Sequence, residues 1–216
     1  MVSHKYKCIF VHIPKNGGTS IENLIWPSKK DRTESNLWMG FINKYNNKYQ
    51  TGGLQHLFAS QIRQELGVDV FFEYFKFTMV RNPWDKIVSQ YTFMSKRKDL
   101  REYLGMKEGD DLRKYLLLIQ KKKHVQWEPQ YKFILDKNGE QMVDFIGRFE
   151  NFEHDLHRIL DSIDIETSFF FNMITRKIPH DKKSTRSHYR DYYNDESKGI
   201  VEHMYKQDIE LLEYSF

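Results

Sequence analysis

The sequence predicts an α/β fold, a P-loop-like three-layer sandwich whose mainly parallel central sheet is flanked by helices. Three observations carry this. Short apolar runs rich in β-branched residues alternate with stretches of helical periodicity. A glycine-rich loop, within VHIPKNGGTS at 11–20, follows the first run. The strand–loop–helix pattern then recurs, which right-handed crossovers turn into a parallel sheet covered on both faces.

The first run, KCIFVHI at 7–13, is stopped by Pro14 and reads as a buried strand. Thr19 or Ser20 can cap the helix after it, in which Ile21, Leu24 and Ile25 share a face before Pro27. Residues 28–53 are polar and irregular, carry Trp38, Phe41, Tyr45 and Tyr49, and read as an excursion from the core. A helix is expected around 57–66, then a second strand at 74–80. Asn82 and Pro83 suit the N-cap and first position of a helix to about residue 97. Asp110 or Asp111 starts another, with Leu112, Tyr115, Leu116 and Ile119 on one face before the lysines 121–123. MVDFI at 142–146 is the third strand candidate, followed by a helix carrying Phe152, Leu156, Ile159 and Leu160. A short apolar run at 169–174 is a fourth, 176–193 is a basic polar loop, and a last helix starts near Asn194. The length of 216 residues fits one domain over 1–216.

Composition excludes several classes. A balance of 34 Lys and Arg against 30 Asp and Glu favours anionic ligands without the basic excess of a nucleic-acid binder. The single cysteine, Cys8, rules out an internal disulfide and is compatible with a reducing, cytoplasmic setting. No apolar stretch approaches the ~20 residues of a membrane helix, so no membrane association is expected.

Chemistry concentrates after the first two strands, where ligands of such sheets bind. Gly17 and Gly18 let backbone N–H groups converge on an anion, the following helix adds its positive dipole end, and Thr19, Ser20 and Lys15 add donors. The alternative is a plain capped turn. In a nucleotide triphosphatase the lysine would follow the last glycine, but here Thr19 follows Gly18 and the lysine precedes both. A ligand with fewer phosphates, handled without a metal, fits better. Arg81 ends the second strand and can grip a phosphate, with Ser89 eight residues on; the alternative is pairing with Asp85.

VHIPKNGGTS closely resembles the 5′-phosphosulfate loop of sulfotransferases that use 3′-phosphoadenosine 5′-phosphosulfate (PAPS), and FKFTMVRNPWDKIVSQY resembles their 3′-phosphate motif. The resemblance is to the branch holding carbohydrate 2-O-sulfotransferases and small bacterial members. It continues through GRFENFEHDL at 147–156 and the C-terminal stretch from His188, leaving out roughly 28–50 and 98–125. It implies 5′-phosphosulfate contacts from Lys15, Asn16, Gly17, Gly18, Thr19 and Ser20, 3′-phosphate contacts from Arg81 and Ser89, and Lys15 steadying charge on the leaving oxygen.

Transfer to a hydroxyl also needs a base, and imidazole suits the task. Of nine histidines, His56 precedes the second motif by 25 residues, much as the catalytic histidine does in the 2-O-sulfotransferases; His12 is the rival and a candidate acceptor contact. Arg148 either reaches the nucleotide or pairs with Glu150 or Glu153. In the basic segment, Ser187 is a candidate nucleotide contact and Lys183, Arg186 and Arg190 candidate contacts to an acidic acceptor. The expected activity is sulfuryl transfer from PAPS to a hydroxyl, on a saccharide by the branch resembled. The alternatives are a kinase with a degenerate phosphate loop and a non-catalytic nucleotide-binding module.

Overall fold

The computed structural model describes residues 1–38, 53–165 and 186–216. Four strands form one sheet in chain order: β1 (Val2–Ser3), β2 (Cys8–Val11), β3 (Phe75–Val80) and β4 (Phe145–Arg148). β2, β3 and β4 are parallel, with Cys8 opposite Phe75 and Phe77 opposite Phe145, while β1 pairs antiparallel with Ile9 opposite Val2. The helices are α1 (Gly18–Ile25), α2 (Ala59–Leu66), α3 (Val68–Glu73), α4 (Pro83–Ser95), α5 (Lys98–Leu104), α6 (Leu112–Ile119), α7 (Tyr131–Ile134), α8 (Phe152–Ser162), α9 (Asp195–Met204) and α10 (Lys206–Leu211).

A strand covered on both faces reads as a continuous apolar run because neither set of side chains meets water. Cys8–Val11 is buried throughout. Ile9 and Val11 join Ile62, Phe71 and Phe133 from α2, α3 and α7, whereas Cys8 and Phe10 join Ile21, Leu24, Leu156 and Ile159 from α1 and α8. A third cluster packs α4, α5, α6 and α9 around Trp84, Tyr115 and Tyr205. The result is a mostly parallel sheet flanked by helices.

Several sequence signals act as expected. Asn82 caps α4 by accepting the Trp84 N–H, Pro83 opens it, and Asp111 and Asn194 cap α6 and α9. Two differ. Neither Thr19 nor Ser20 caps α1; the N-cap is Gly17, in the left-handed region at φ 82°, so the helix begins two or three residues earlier than those caps would start it. β4 runs Phe145–Arg148 instead of 142–146, because Met142 donates to the Ile134 carbonyl and Gln141 pairs with Leu135, and the chain joins the sheet only when Asp144 donates to Lys76. The run at 169–174, Lys183 and the aromatics Phe41, Tyr45 and Tyr49 lie outside the described residues. Among the described residues no helix is long and apolar enough to cross a membrane.

Ile159 is fully buried between α8 and the sheet, and Asp161, two residues on, is exposed. Ile159→Ala should lower the unfolding free energy by about 2–5 kcal/mol in urea titrations, with Asp161→Ala within about 0.5 kcal/mol of the parent.

Candidate active site

The carboxyl ends of the parallel strands lead into the loop at 12–17, the pair Arg81–Asn82 and the turn at 149–151. The loop returns the chain sharply to α1. Lys15 has φ 71° and Gly17 φ 82°, and a left-handed lysine stores on the order of 1–3 kcal/mol of strain. A side chain on Gly17 would meet the Phe152 ring at 2.7 Å, and one on Gly18 would meet His12 Nε2 at 2.0 Å. Neighbouring rings therefore demand both glycines. The first N–H groups of α1 have no acceptor within the helix and carry its positive dipole end, with Thr19 exposed and Ser20 half-buried beside them.

Asn16 is 1% exposed, and its Nδ2 donates to the Met79 carbonyl and to Gln130 Oε1, both at 2.8 Å. Gln130, fully buried, also accepts the Arg81 N–H (2.9 Å) and donates Nε2–H to the Arg81 carbonyl (2.8 Å). One carboxamide thus fixes both the loop and the end of β3.

The Arg81 guanidinium donates Nε–H to Asp85 Oδ2 (2.8 Å) and Nη1–H to the Lys15 carbonyl (2.9 Å), and lies 3.9 Å over the Phe149 ring. Arg186 Nη2 donates to the other Asp85 oxygen, so two guanidinium groups share one carboxylate. Burial pushes the Asp85 carboxyl up, but Arg81 and Arg186 outweigh it and hold it below the usual range. Asp85, Ser89 and Phe93 follow one another at i, i+4 spacing along α4, one ridge of the helix. The Lys15 ammonium rests 4.2 Å over the Phe93 ring at the far end of that ridge.

His56 lies against His12, ring centroids 4.5 Å apart. Its Nδ1 is 3.1 Å from the His12 carbonyl oxygen. A carbonyl only accepts, so Nδ1 carries the proton and Nε2 the lone pair. Burial, reinforced by His12, drives the His56 pKa well below its ordinary value, so the ring is neutral at pH 7. The turn that positions it, Leu54–His56, begins after Gly53, whose φ of 98° disfavours any side chain. His124, stacked on Trp127, has its pKa lowered to about 4 by burial.

Lys15, Asn16, Gly17, Gly18, Thr19, Ser20, His12, His56, Arg81, Ser89 and Arg186 thus gather at one end of the sheet. Arg81 pairs with Asp85, the alternative weighed from spacing, while also reaching the loop. The Arg148 guanidinium donates to the Leu212 carbonyl and lies over Tyr214, and Glu150, one of the two carboxylates expected to pair with it, accepts from Asn82 N–H and Tyr214. Ser187 is exposed, and Arg190 donates to the Phe216 carbonyl. Gln130 and Glu22, whose Oε1 lies 2.9 Å from His12 Nδ1, escaped sequence reasoning. No local pattern marks Gln130; a glutamate four residues after Gly18, on the apolar side of α1, was the available signal for Glu22. Among the described residues no group of three or more His, Cys, Asp or Glu is placed to hold a metal.

Residues 1–215 match the sulfotransferase family. The chain is 34% identical over 105 residues to an uncharacterized protein of Archaeoglobus fulgidus, a stretch covering 49% of this chain and 80% of that protein. No solved structure matches it.

His56 and His124 both bind a proton less readily folded than unfolded, so their contribution is complete above the unfolded value of 6.5 and is lost as pH falls below it, for His124 down to about 4. The melting temperature should drop across that window, and His124→Gln should flatten the drop; equal slopes for parent and variant would contradict this.

Proposed function

This chain belongs to the sulfotransferase family, and from that premise we propose that it moves a sulfuryl group from PAPS to an acceptor hydroxyl, on a saccharide, within a P-loop-like fold. The observation that carries the reading is the 2.9 Å bond from Arg81 Nη1 to the Lys15 carbonyl, which joins the two motifs into one site.

The donor set suits the nucleotide: three cations, Lys15, Arg81 and Arg186, lie near the N-terminus of α1, where one carboxylate holds two guanidinium groups. PAPS supplies the activated sulfuryl group. Gly17, Gly18, Thr19 and Ser20 hold its 5′ side with backbone N–H and hydroxyl donors, and Asn16 keeps the loop in place from beneath. Arg81, released from Asp85, and Ser89 one turn beyond take the 3′-phosphate, with Arg186 and Ser187 closing from the C-terminal side. In this assignment Arg186 serves the nucleotide, while Lys183 and Arg190 remain acceptor contacts and Arg148 serves the fold.

The acceptor's O–H proton passes to His56 Nε2 as its oxygen bonds to sulfur, and the sulfur–oxygen bond to the 5′-phosphate breaks. Neutral His56 holds an available lone pair, the requirement for a general base. Lys15 swings from the Phe93 ring to the leaving phosphate oxygen, where charge develops. In-line positioning and charge stabilisation do the rest.

Transfer from PAPS to saccharide acceptors, assayed with a chelator present, should proceed in the parent and fall about 10²–10³-fold in Lys15→Ala and about 10²–10⁴-fold in His56→Ala, with nucleotide binding retained in the latter. Turnover of ATP that requires magnesium, or a fully active His56→Ala, would contradict the assignment.

A further inference from the structure

Asp85 occupies the edge of Arg81 that a 3′-phosphate would need. Its Oδ2 accepts from both Nε (2.8 Å) and Nη2 (2.7 Å) of Arg81, the two-donor edge with which a guanidinium grips a phosphate. Its Oδ1 accepts from Arg186 Nη2. The remaining nitrogen of Arg81, Nη1, holds the Lys15 carbonyl at 2.9 Å, and the guanidinium face lies 3.9 Å over the Phe149 ring.

One edge does not serve two anions. Arg81 is 7% exposed and anchored by Lys15 and Phe149, so it has no second edge to turn towards a ligand. A 3′-phosphate therefore reaches Nε and Nη2 only by displacing the carboxylate. Asp85 is tethered four residues along the same chain, so its return is an intramolecular event that proceeds at any concentration of free ligand. Nor is the displaced carboxylate stranded. It sits in the first turn of α4, where the helix N-terminus favours negative charge. Because Arg186, 101 residues further along the chain, shares this one carboxylate, both guanidinium groups change partner together.

The exchange matters most after the chemistry. Sulfuryl transfer leaves adenosine 3′,5′-bisphosphate, which keeps the 3′-phosphate, so the contacts that bind the donor nucleotide also hold back the product, and product release sets the turnover of many enzymes. A carboxylate waiting beside the phosphate offers the two arginines a partner as the product departs.

We propose that Asp85 is a positioning residue that competes with the 3′-phosphate, its carboxylate retaking Arg81 and Arg186 as the product nucleotide leaves and so weakening product binding and speeding release. The proposal rests on the reading of the cleft as a nucleotide site.

The test is calorimetric titration of the parent and Asp85→Asn with adenosine 3′,5′-bisphosphate and with adenosine 5′-monophosphate, at one pH and ionic strength. Asparagine keeps the shape of the side chain and removes its charge, and hydrogen bonds to a charged acceptor are about twice as strong as those to a neutral one. The variant should bind the bisphosphate about tenfold more tightly and the monophosphate within about twofold of the parent, and the bisphosphate should inhibit its turnover correspondingly more strongly. A merely structural ion pair predicts the opposite sign, because a loosened Arg81 would bind the 3′-phosphate less well. Unchanged or weaker bisphosphate binding by the variant overturns the proposal and leaves the nucleotide reading standing, as does an equal gain for both nucleotides, the result of one added positive charge felt across the whole cleft. Absence of bisphosphate binding by the parent overturns both. Should Asp85→Asn not fold, a crystal structure of the parent with adenosine 3′,5′-bisphosphate decides: a 3′-phosphate on Arg81 Nε and Nη2 with the carboxylate displaced supports the proposal, and Asp85 still on that edge overturns it.

Discussion

The side-chain carboxamide of Gln130 holds together three parts of the chain that the site needs in register. Its oxygen accepts from Asn16 Nδ2 and from the Arg81 N–H, its nitrogen donates to the Arg81 carbonyl, and its own main-chain N–H is held by Asp208 of α10. Arg81 lies one residue past the end of β3, so the carboxamide satisfies backbone groups there much as a neighbouring strand would. Buried polar groups are costly only when unpaired, and this network fixes the height of the glycine loop relative to the arginine. The relative placement of the two motifs depends on it.

Electrostatics then decides what the cleft accepts. Arg81 is 7% exposed and stacked on Phe149, and burial pushes its pKa down while Asp85 opposes the shift. Asp85 gives both Arg81 and Arg186 a partner. An incoming phosphate has to outbid that single carboxylate for two guanidinium groups, and a doubly charged monoester is better equipped to do so than a neutral ligand. Nearby, Asp208 is held in its buried position by two N–H donors while burial raises its pKa, and the equally buried Lys86 has its own lowered to about 8. The C-terminal helix is thereby tied electrostatically to α4, the helix that carries Asp85 and Ser89.

Much of this was legible in the sequence, for reasons that differ by residue. β2 and β3 followed from unbroken apolar runs, and α4, α6 and α9 from the caps Asn82, Asp111 and Asn194, because those signals are local, whereas the short elements β1, α3, α5 and α7 carried too little pattern to be read. The two motifs were legible because their spacing and residue types carry the chemistry. The start of α1 was misplaced because the Gly17 cap depends on a backbone angle, and β4 because a hairpin at 134–142 diverts residues that pattern alone would give to the sheet. Gln130, 114 positions beyond Asn16, and the His12–Glu22 pair depend on tertiary approach, which periodicity does not report. The close approach of Phe152 to Gly17 and of His12 to Gly18 depends on tertiary contact in the same way.

The central claim is that a loop with its lysine ahead of the glycines, coupled to Arg81, holds a nucleotide bearing separate 3′ and 5′ phosphates. Melting curves with adenosine 3′,5′-bisphosphate in chelator, set beside curves with ATP and magnesium, test it most directly, since a ligand that binds only the folded state raises the melting temperature. The account predicts a clear rise with the bisphosphate and little with ATP. Stabilisation by ATP and magnesium alone would contradict it.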